Sequence, residues 1–90
     1  MPKLWRSLTW FDKRNDEWVG EVRLRGVKLQ QLQKLFGVPS DNPMYDCFKV
    51  EKKHAPLVEK WSGVPILLNK YDYFVECSAI GAPKPVAVTR

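Results

Sequence analysis

The chain repeats two short motifs at one fixed spacing of 26 residues, and this repeat constrains the fold more than any other feature. Gly37-Val38-Pro39 recurs as Gly63-Val64-Pro65, and Tyr45-Asp46-Cys47-Phe48 recurs as Tyr71-Asp72-Tyr73-Phe74. The gapless overlay that contains both pairs has seven identities in 24 positions. Because two units are too few for a solenoid, we interpret the pattern as an internal repeat within one domain. The alternative interpretation is coincidence between two helix ends and two strands.

Each unit predicts a helix that ends at a glycine and is followed by a strand. Apolar residues recur at three- and four-residue spacing from Leu29 to Phe36, which indicates an amphipathic helix. Gly37 can adopt the left-handed conformation that closes a helix, and the nearby proline prevents continuation. Pro56 favours the first turn of a second helix, which ends at Gly63. The predicted strands cover residues 44–50 and 71–78.

Before the repeat, two strand-like segments flank a polar turn and predict a β-hairpin. Residues 4–11 are rich in aromatic and strand-favouring types, residues 12–16 are turn formers, and residues 17–25 alternate. Alternation in the second strand places Trp18 on one face with Gly20, Val22 and Leu24. The first strand carries apolar side chains on both faces, with Leu4, Leu8 and Trp10 opposing Trp5 and Phe11.

Together these elements predict an α+β fold with the order β-β-α-β-α-β. Each helix has a single apolar stripe, so we expect both helices on one face of a four-stranded sheet. The connections could be parallel crossovers or antiparallel returns, and the sequence does not distinguish them. We expect a single domain over residues 1–80 and a loose C-terminal tail over residues 81–90, where two prolines follow Gly81.

The composition is that of a small globular protein. Apolar residues make up 44% of the chain and charged residues 28%, and four tryptophans supply large buried areas to a small core. No apolar run approaches the roughly 18 residues that a membrane-spanning helix needs. The N-terminus lacks the features of a secretory signal. We therefore expect a cytoplasmic protein without a membrane partner.

Candidate catalytic and metal-binding residues are few. Cys47 and Cys77 lack the spacing of a structural zinc site, so we expect buried, reduced thiols that pack as small hydrophobes. His54 is the only histidine, and we expect it at a helix start or on the surface. No motif of a known catalytic class occurs. The sequence thus predicts a protein that is not an enzyme and uses no metal or cofactor.

The net charge of +5 keeps nucleic acid open as a partner. Arg23, Arg25 and Lys28 precede the first helix, and Lys49 to Lys53 precede the second. If these side chains converged on one face, they could contact phosphates. The acidic residues interspersed among them favour an ordinary mixed-charge surface instead.

The residues that we single out for binding are aromatic or acidic. Trp5 and Phe11 form an apolar patch unless another element covers them, and such patches mark protein interfaces. The repeated pairs Tyr45-Asp46 and Tyr71-Asp72 could form a polar patch at two equivalent strand starts, or could satisfy turns and pack in the core. These features favour a protein-interaction module that binds a protein partner or self-associates. The alternative is a basic nucleic-acid-binding protein.

Most of the sequence resembles a family of small uncharacterised bacterial proteins, a domain of unknown function. The resemblance covers about residues 8–78 and is carried by Pro43-Met44-Tyr45-Asp46-Cys47 and Tyr71-Asp72-Tyr73-Phe74-Val75-Glu76-Cys77. It brings no assigned catalytic or binding residues. Some small proteins of this kind look like immunity proteins that neutralise a toxin. The basic charge departs from the acidic character of many such proteins, so a partner should be acidic or bound through apolar contacts.

Overall fold

The computed structural model describes residues 4–79. It contains four strands and two helices in the predicted order β-β-α-β-α-β. In chain order they are β1 (Leu4–Asp12), β2 (Trp18–Arg23), α1 (Leu29–Phe36), β3 (Phe48–Lys49), α2 (Ala55–Ser62) and β4 (Tyr71–Ala79). The α+β fold class is therefore confirmed. The predicted tail over residues 81–90 lies outside the described residues.

The strands form one sheet in the order β2-β1-β4-β3, and every neighbouring pair is antiparallel. The two nine-residue strands β1 and β4 pair along their whole length, from Leu4 opposite Ala79 to Asp12 opposite Tyr71. This long ladder places the N-terminal hairpin beside the last strand. The question that the sequence left open is thus resolved in favour of antiparallel returns.

Both helices pack on one face of this sheet, as predicted. Directly opposed residues of antiparallel strands point to the same face. Leu8 and Val75 are opposed, and both are buried in one cluster with residues of the two helices. Leu32 of α1 and Val58 of α2 are fully buried there. Burial of each such side chain contributes roughly 1.5–3 kcal/mol, so this cluster supplies much of the stability of a small domain.

The helices end in the same way. Gly37 and Gly63 have φ values of 67° and 73°, and both N–H groups donate to the carbonyl four residues earlier. The helices also start and end at a constant offset of 26 residues. The glycine stops predicted from the repeated motif are therefore present in both units.

The strands that follow the helices differ. The predicted strand over residues 44–50 is reduced to Phe48–Lys49, because the preceding chain forms a loop in which Met44 has a φ of 55°. Phe48 opposes Val75 on the core face, whereas Phe74 opposes Thr9 on the other face. The two phenylalanines of the repeated motif thus point in opposite directions. Common descent of the two units stays a prediction.

Two side chains from outside this loop hold it in place. The buried amide of Gln33 donates to the carbonyls of Ser40 and Asn42, at 3.1 and 2.7 Å. The guanidinium of Arg6 donates to the carbonyls of Pro43 and Met44, at 2.9 and 3.1 Å. These bonds satisfy loop carbonyls that have no partner in a regular strand.

The expected position of Trp18 is wrong. The β1–β2 register shifts between Trp10 and Phe11, so that Trp10 opposes Gly20 but Phe11 opposes Trp18. The extra residue in β2 is Val19, which forms a bulge and reverses the alternation. Trp18 therefore lies opposite Phe11 and away from the helices, with 51% of its surface exposed.

Candidate functional site

The sheet face opposite the two helices is called the open face below, because no helix of residues 4–79 packs on it. It carries half of the residues that we singled out for binding, namely Trp5, Phe11 and Asp72. Alternate residues of β1 point to this face: Trp5, Ser7, Thr9 and Phe11. Their partners on the neighbouring strands include Arg23, Glu21, Trp18, Asp72, Phe74 and Glu76. The sequence predicted that β1 is apolar on both faces, and the structure places Trp5 and Phe11 on the open one.

Aromatic side chains lie at both ends of the open face. At one end Phe11 contacts Phe74 edge to face, with ring centroids 5.9 Å apart, and Trp18 lies opposite Phe11. At the other end the guanidinium carbon of Arg23 lies 5.2 Å from the centroid of the Trp5 ring. Six residues of extended chain separate Trp5 from Phe11, which corresponds to roughly 20 Å. The aromatic groups therefore bracket a surface as long as the sheet.

The acidic side chain of Asp72 joins the two sides of this face. Its carboxylate lies 3.5 Å from Nζ of Lys13 in the hairpin turn and 3.8 Å from Nζ of Lys49 in β3. Both lysines are well exposed, so each ion pair adds little stability by itself. The two ion pairs place the negative charge of Asp72 between the positive charges of Lys13 and Lys49 on the surface.

Thr9 lies at the centre of the open face and is only 4% exposed. Its hydroxyl has no hydrogen-bond partner among the described residues. A buried hydroxyl without a partner costs about 1–3 kcal/mol. This part of the face is therefore built at some expense to the stability of the domain.

The predicted Tyr-Asp pairs do not form a common patch. Tyr45 and Asp46 are exposed in the loop before β3, and Tyr45 is 64% exposed. Tyr71 packs against the core and contacts Tyr73 edge to face, whereas its neighbour Asp72 points to the open face. Adjacent strand residues point to opposite faces, so the second pair is split. The expectation of two equivalent strand starts is wrong because the first pair precedes its strand.

The basic residues divide into two groups. Arg23 is at the end of β2 and Lys49 is in β3, and these strands form opposite edges of the sheet. Three strand spacings, about 14 Å, separate the edges. Arg25 and Lys28 follow β2, whereas Lys52 and Lys53 follow β3. The predicted phosphate-binding residues therefore do not converge on one patch.

The histidine and the cysteines are not assembled into a site. His54 is the residue before α2, as expected, and its buried Nδ1 accepts a hydrogen bond from the N–H of Glu51 at 2.9 Å. The prediction that both cysteines are buried is wrong, since Cys47 is exposed and Cys77 is half-buried, and the two thiols form no disulfide. Within residues 4–79, no cluster of three or more acidic, histidine or cysteine side chains could hold a metal ion.

Trp18 is an open-face residue that the alternation of β2 did not predict. Two signals pointed to it. A glycine within a strand often marks a bulge or a close backbone approach, and Gly20 is two residues away. A tryptophan beside the polar turn is also poorly placed for full burial.

The fold and this face define a small α+β domain with an aromatic sheet surface. The chain belongs to the family described as a domain of unknown function (DUF7683), whose family model matches residues 5–76. No curated protein matches the chain. In the part of the chain that the structure describes, no helix is long and apolar enough to cross a membrane.

Proposed function

We propose that this protein is a non-enzymatic protein-interaction module of immunity or regulatory type, and that it binds its partner through the open face. The observation that carries the proposal is the position of Trp18. The bulge in β2 turns this indole away from the core and leaves half of it exposed beside Phe11. Because the apolar surface of this indole is still in contact with water, a partner can bury it without disturbing the core.

The other open-face residues fit the anatomy of a protein interface. Tryptophan and arginine are the residues that most often carry binding energy, and they do so when a partner excludes water around them. Trp5 and Arg23 already contact each other, so little conformational entropy would be lost when a partner covers them. The charges of Lys13, Lys49 and Asp72 would orient a partner at the rim.

The setting of the single histidine supports a non-enzymatic role. A general base needs a nitrogen within reach of a substrate proton. Nδ1 of His54 is occupied by the Glu51 N–H, and the ring packs against Phe36 with centroids 4.3 Å apart. The side chain of His54 thus stabilises the turn before α2 by accepting this hydrogen bond.

A comparison of two surface variants tests the proposal. Wild-type protein, Trp18→Ser and Leu57→Ser are immobilised, and proteins captured from a native lysate are quantified by mass spectrometry. Leu57 is a matched control because it is an exposed apolar residue on α2, on the helical side. We expect a stoichiometric protein on wild type and Leu57→Ser but not on Trp18→Ser. Sedimentation of the same three proteins tests self-association through this face.

Two results would contradict the proposal. One is a wild-type protein that sediments as a monomer and captures no stoichiometric protein. The other is a partner that Trp18→Ser retains as well as wild type does.

Nucleic-acid binding is a second candidate, favoured by the contact between Arg23 and Trp5 at one end of the sheet. Aromatic rings can stack on bases while arginines contact phosphates. Titration with duplex and single-stranded oligonucleotides at decreasing salt tests it, because phosphate contacts strengthen as salt falls. Absence of binding at low salt would remove this candidate.

A further inference from the structure

A cleft of about 480 Å³ opens where β1 begins and where the chain leaves β2 toward α1. The volume is in the range of small-molecule sites. None of the eight described residues that line the cleft is acidic, and three are arginines. They are Trp5, Arg6, Arg23, Leu24, Arg25, Gly26, Val27 and Leu29.

The floor of the cleft is apolar and well anchored. Leu24 is buried, and Val27 and Leu29 are half-buried against the core. The N–H of Leu24 donates to the carbonyl of Arg6 at 2.8 Å, and the N–H of Arg25 donates to the carbonyl of Trp61 at 3.1 Å. These bonds tie the segment to both β1 and α2. The floor is therefore formed before any ligand arrives.

The three guanidinium groups are held to different degrees. Arg6 is fixed by its bonds to two loop carbonyls. Arg23 rests over Trp5. Arg25 is exposed, and the ion pairs among the described residues involve Lys13, Arg14 and Lys49 instead. The cleft thus combines two positioned positive charges with one exposed arginine.

We propose that this cleft binds a small organic anion, with its phosphate or carboxylate group at Arg23 and Arg25 and its apolar or aromatic body on Leu24, Val27 and Leu29. Guanidinium groups present paired N–H donors that match these anions. An apolar floor beside them selects an anion that carries a hydrophobic body over a bare inorganic ion. The cleft shares Arg23 and Trp5 with the proposed protein interface. The proposal does not depend on a protein partner, since Arg25 and the apolar floor carry it rather than Trp18.

An NMR titration tests the proposal with four probes: phenyl phosphate, benzoate, inorganic phosphate and phenol. We expect phenyl phosphate or benzoate to shift the indole N–H of Trp5 and the methyl groups of Leu24, Val27 and Leu29. Inorganic phosphate lacks the apolar body and phenol lacks the charge at neutral pH. Both should bind at least about tenfold more weakly.

Variants at the arginines separate a site from general charge. Arg25→Gln should weaken phenyl phosphate or benzoate binding about tenfold, and Arg25→Lys should restore part of it. Arg14→Gln removes the same charge at the far end of the hairpin, where Arg14 pairs with Asp12, and should leave binding unchanged. Arg25 is exposed, so the fold should tolerate these changes, and the amide spectrum checks this.

Three outcomes would overturn the proposal. Binding that Arg25→Gln and Arg14→Gln weaken equally would show only general charge attraction. Inorganic phosphate that binds as well as phenyl phosphate would remove the role of the apolar floor. An oligothymidylate that binds far more tightly, with shifts that extend to Lys49 and Lys52, would assign the cleft to a nucleic-acid surface instead.

Discussion

The indole of Trp10 lies across Gly20, its directly opposed partner in the hairpin. A Cβ atom added to Gly20 would come within 2.7 Å of Cζ2 of Trp10. The same indole contacts Tyr73 on the other side, with ring centroids 5.7 Å apart. The absence of a side chain at position 20 therefore lets a large aromatic group close the core between β2 and β4.

Gly20→Ala should destabilise the domain by roughly 1–3 kcal/mol, because the indole or the strand must move to admit the methyl group. Chemical denaturation measures the change. The clash can be isolated with a double-mutant cycle in which the same change is made in a Trp10→Leu background. If Gly20→Ala costs as much without the indole, the close approach is not the cause.

Gly37→Ala and Gly63→Ala should each destabilise by roughly 1 kcal/mol, because both positions have positive φ. No atom outside the local backbone lies within 4 Å of an added Cβ at either position, so steric crowding does not contribute. Gly37→Asn and Gly63→Asn are the controls, since asparagine tolerates the left-handed conformation, and they should cost less. Thermal shifts near zero for both alanine variants would count against this explanation.

Local sequence signals predicted the helices and the hairpin well. An apolar stripe and a following glycine are encoded within a few residues, so α1 and α2 end where the sequence indicates. The loop before β3 was missed because its geometry depends on distant partners. Arg6 donates hydrogen bonds to loop carbonyls that lie 37 and 38 residues further along the chain. No local sequence pattern predicts such contacts.

The candidate site was predicted in part for the same reason. Trp5 and Phe11 could be placed on a second face because strict alternation holds along β1. Alternation failed in β2, where a single bulged residue moved Trp18 to that face. The two Tyr-Asp pairs share a sequence motif but not a backbone conformation. Identical residues therefore do not occupy equivalent positions in the fold.

Gln33 and Glu59 occupy equivalent positions in the two units but use opposite hydrogen-bonding groups. The amide of Gln33 donates to the carbonyl of Ser40, whereas the carboxylate of Glu59 accepts from the N–H of Ile66 at 2.8 Å. Both partners lie seven residues further along the chain. The two helices therefore hold their following loops by the same device with reversed polarity.

The reversed polarity predicts an asymmetry between two matched variants. Gln33→Glu should destabilise by about 1–3 kcal/mol or more, because a buried carboxylate cannot donate to two carbonyls. Glu59→Gln should be close to neutral, because its amide oxygen can still accept from Ile66. Urea denaturation of both variants gives the comparison. Equal effects would mean that the loops do not depend on these bonds.

Thr9→Val should leave the domain equally stable or stabilise it by up to about 1 kcal/mol. The change removes a buried hydroxyl that has no partner among the described residues and keeps the side-chain shape. Thr9→Ser keeps the hydroxyl but removes the methyl group, and it should destabilise. A clear loss of stability in Thr9→Val would indicate that the hydroxyl is satisfied.

The stability of the domain should fall as the pH is lowered through about 6.5, the ordinary pKa of histidine. Burial lowers the pKa of His54 in the folded protein, and the nearby charge of Lys53 adds to this. The unfolded chain therefore takes up a proton at a higher pH than the folded protein, which favours unfolding as protons become available. Protonation would also end the role of Nδ1 as acceptor for the Glu51 N–H.

Thermal unfolding at pH 7.5 and pH 5.5 measures this loss of stability. The range is chosen to lie above the titration of most carboxyl groups. His54→Asn keeps an acceptor at this position but does not titrate, so it should flatten the dependence. An equally steep dependence in that variant would assign the effect to other groups.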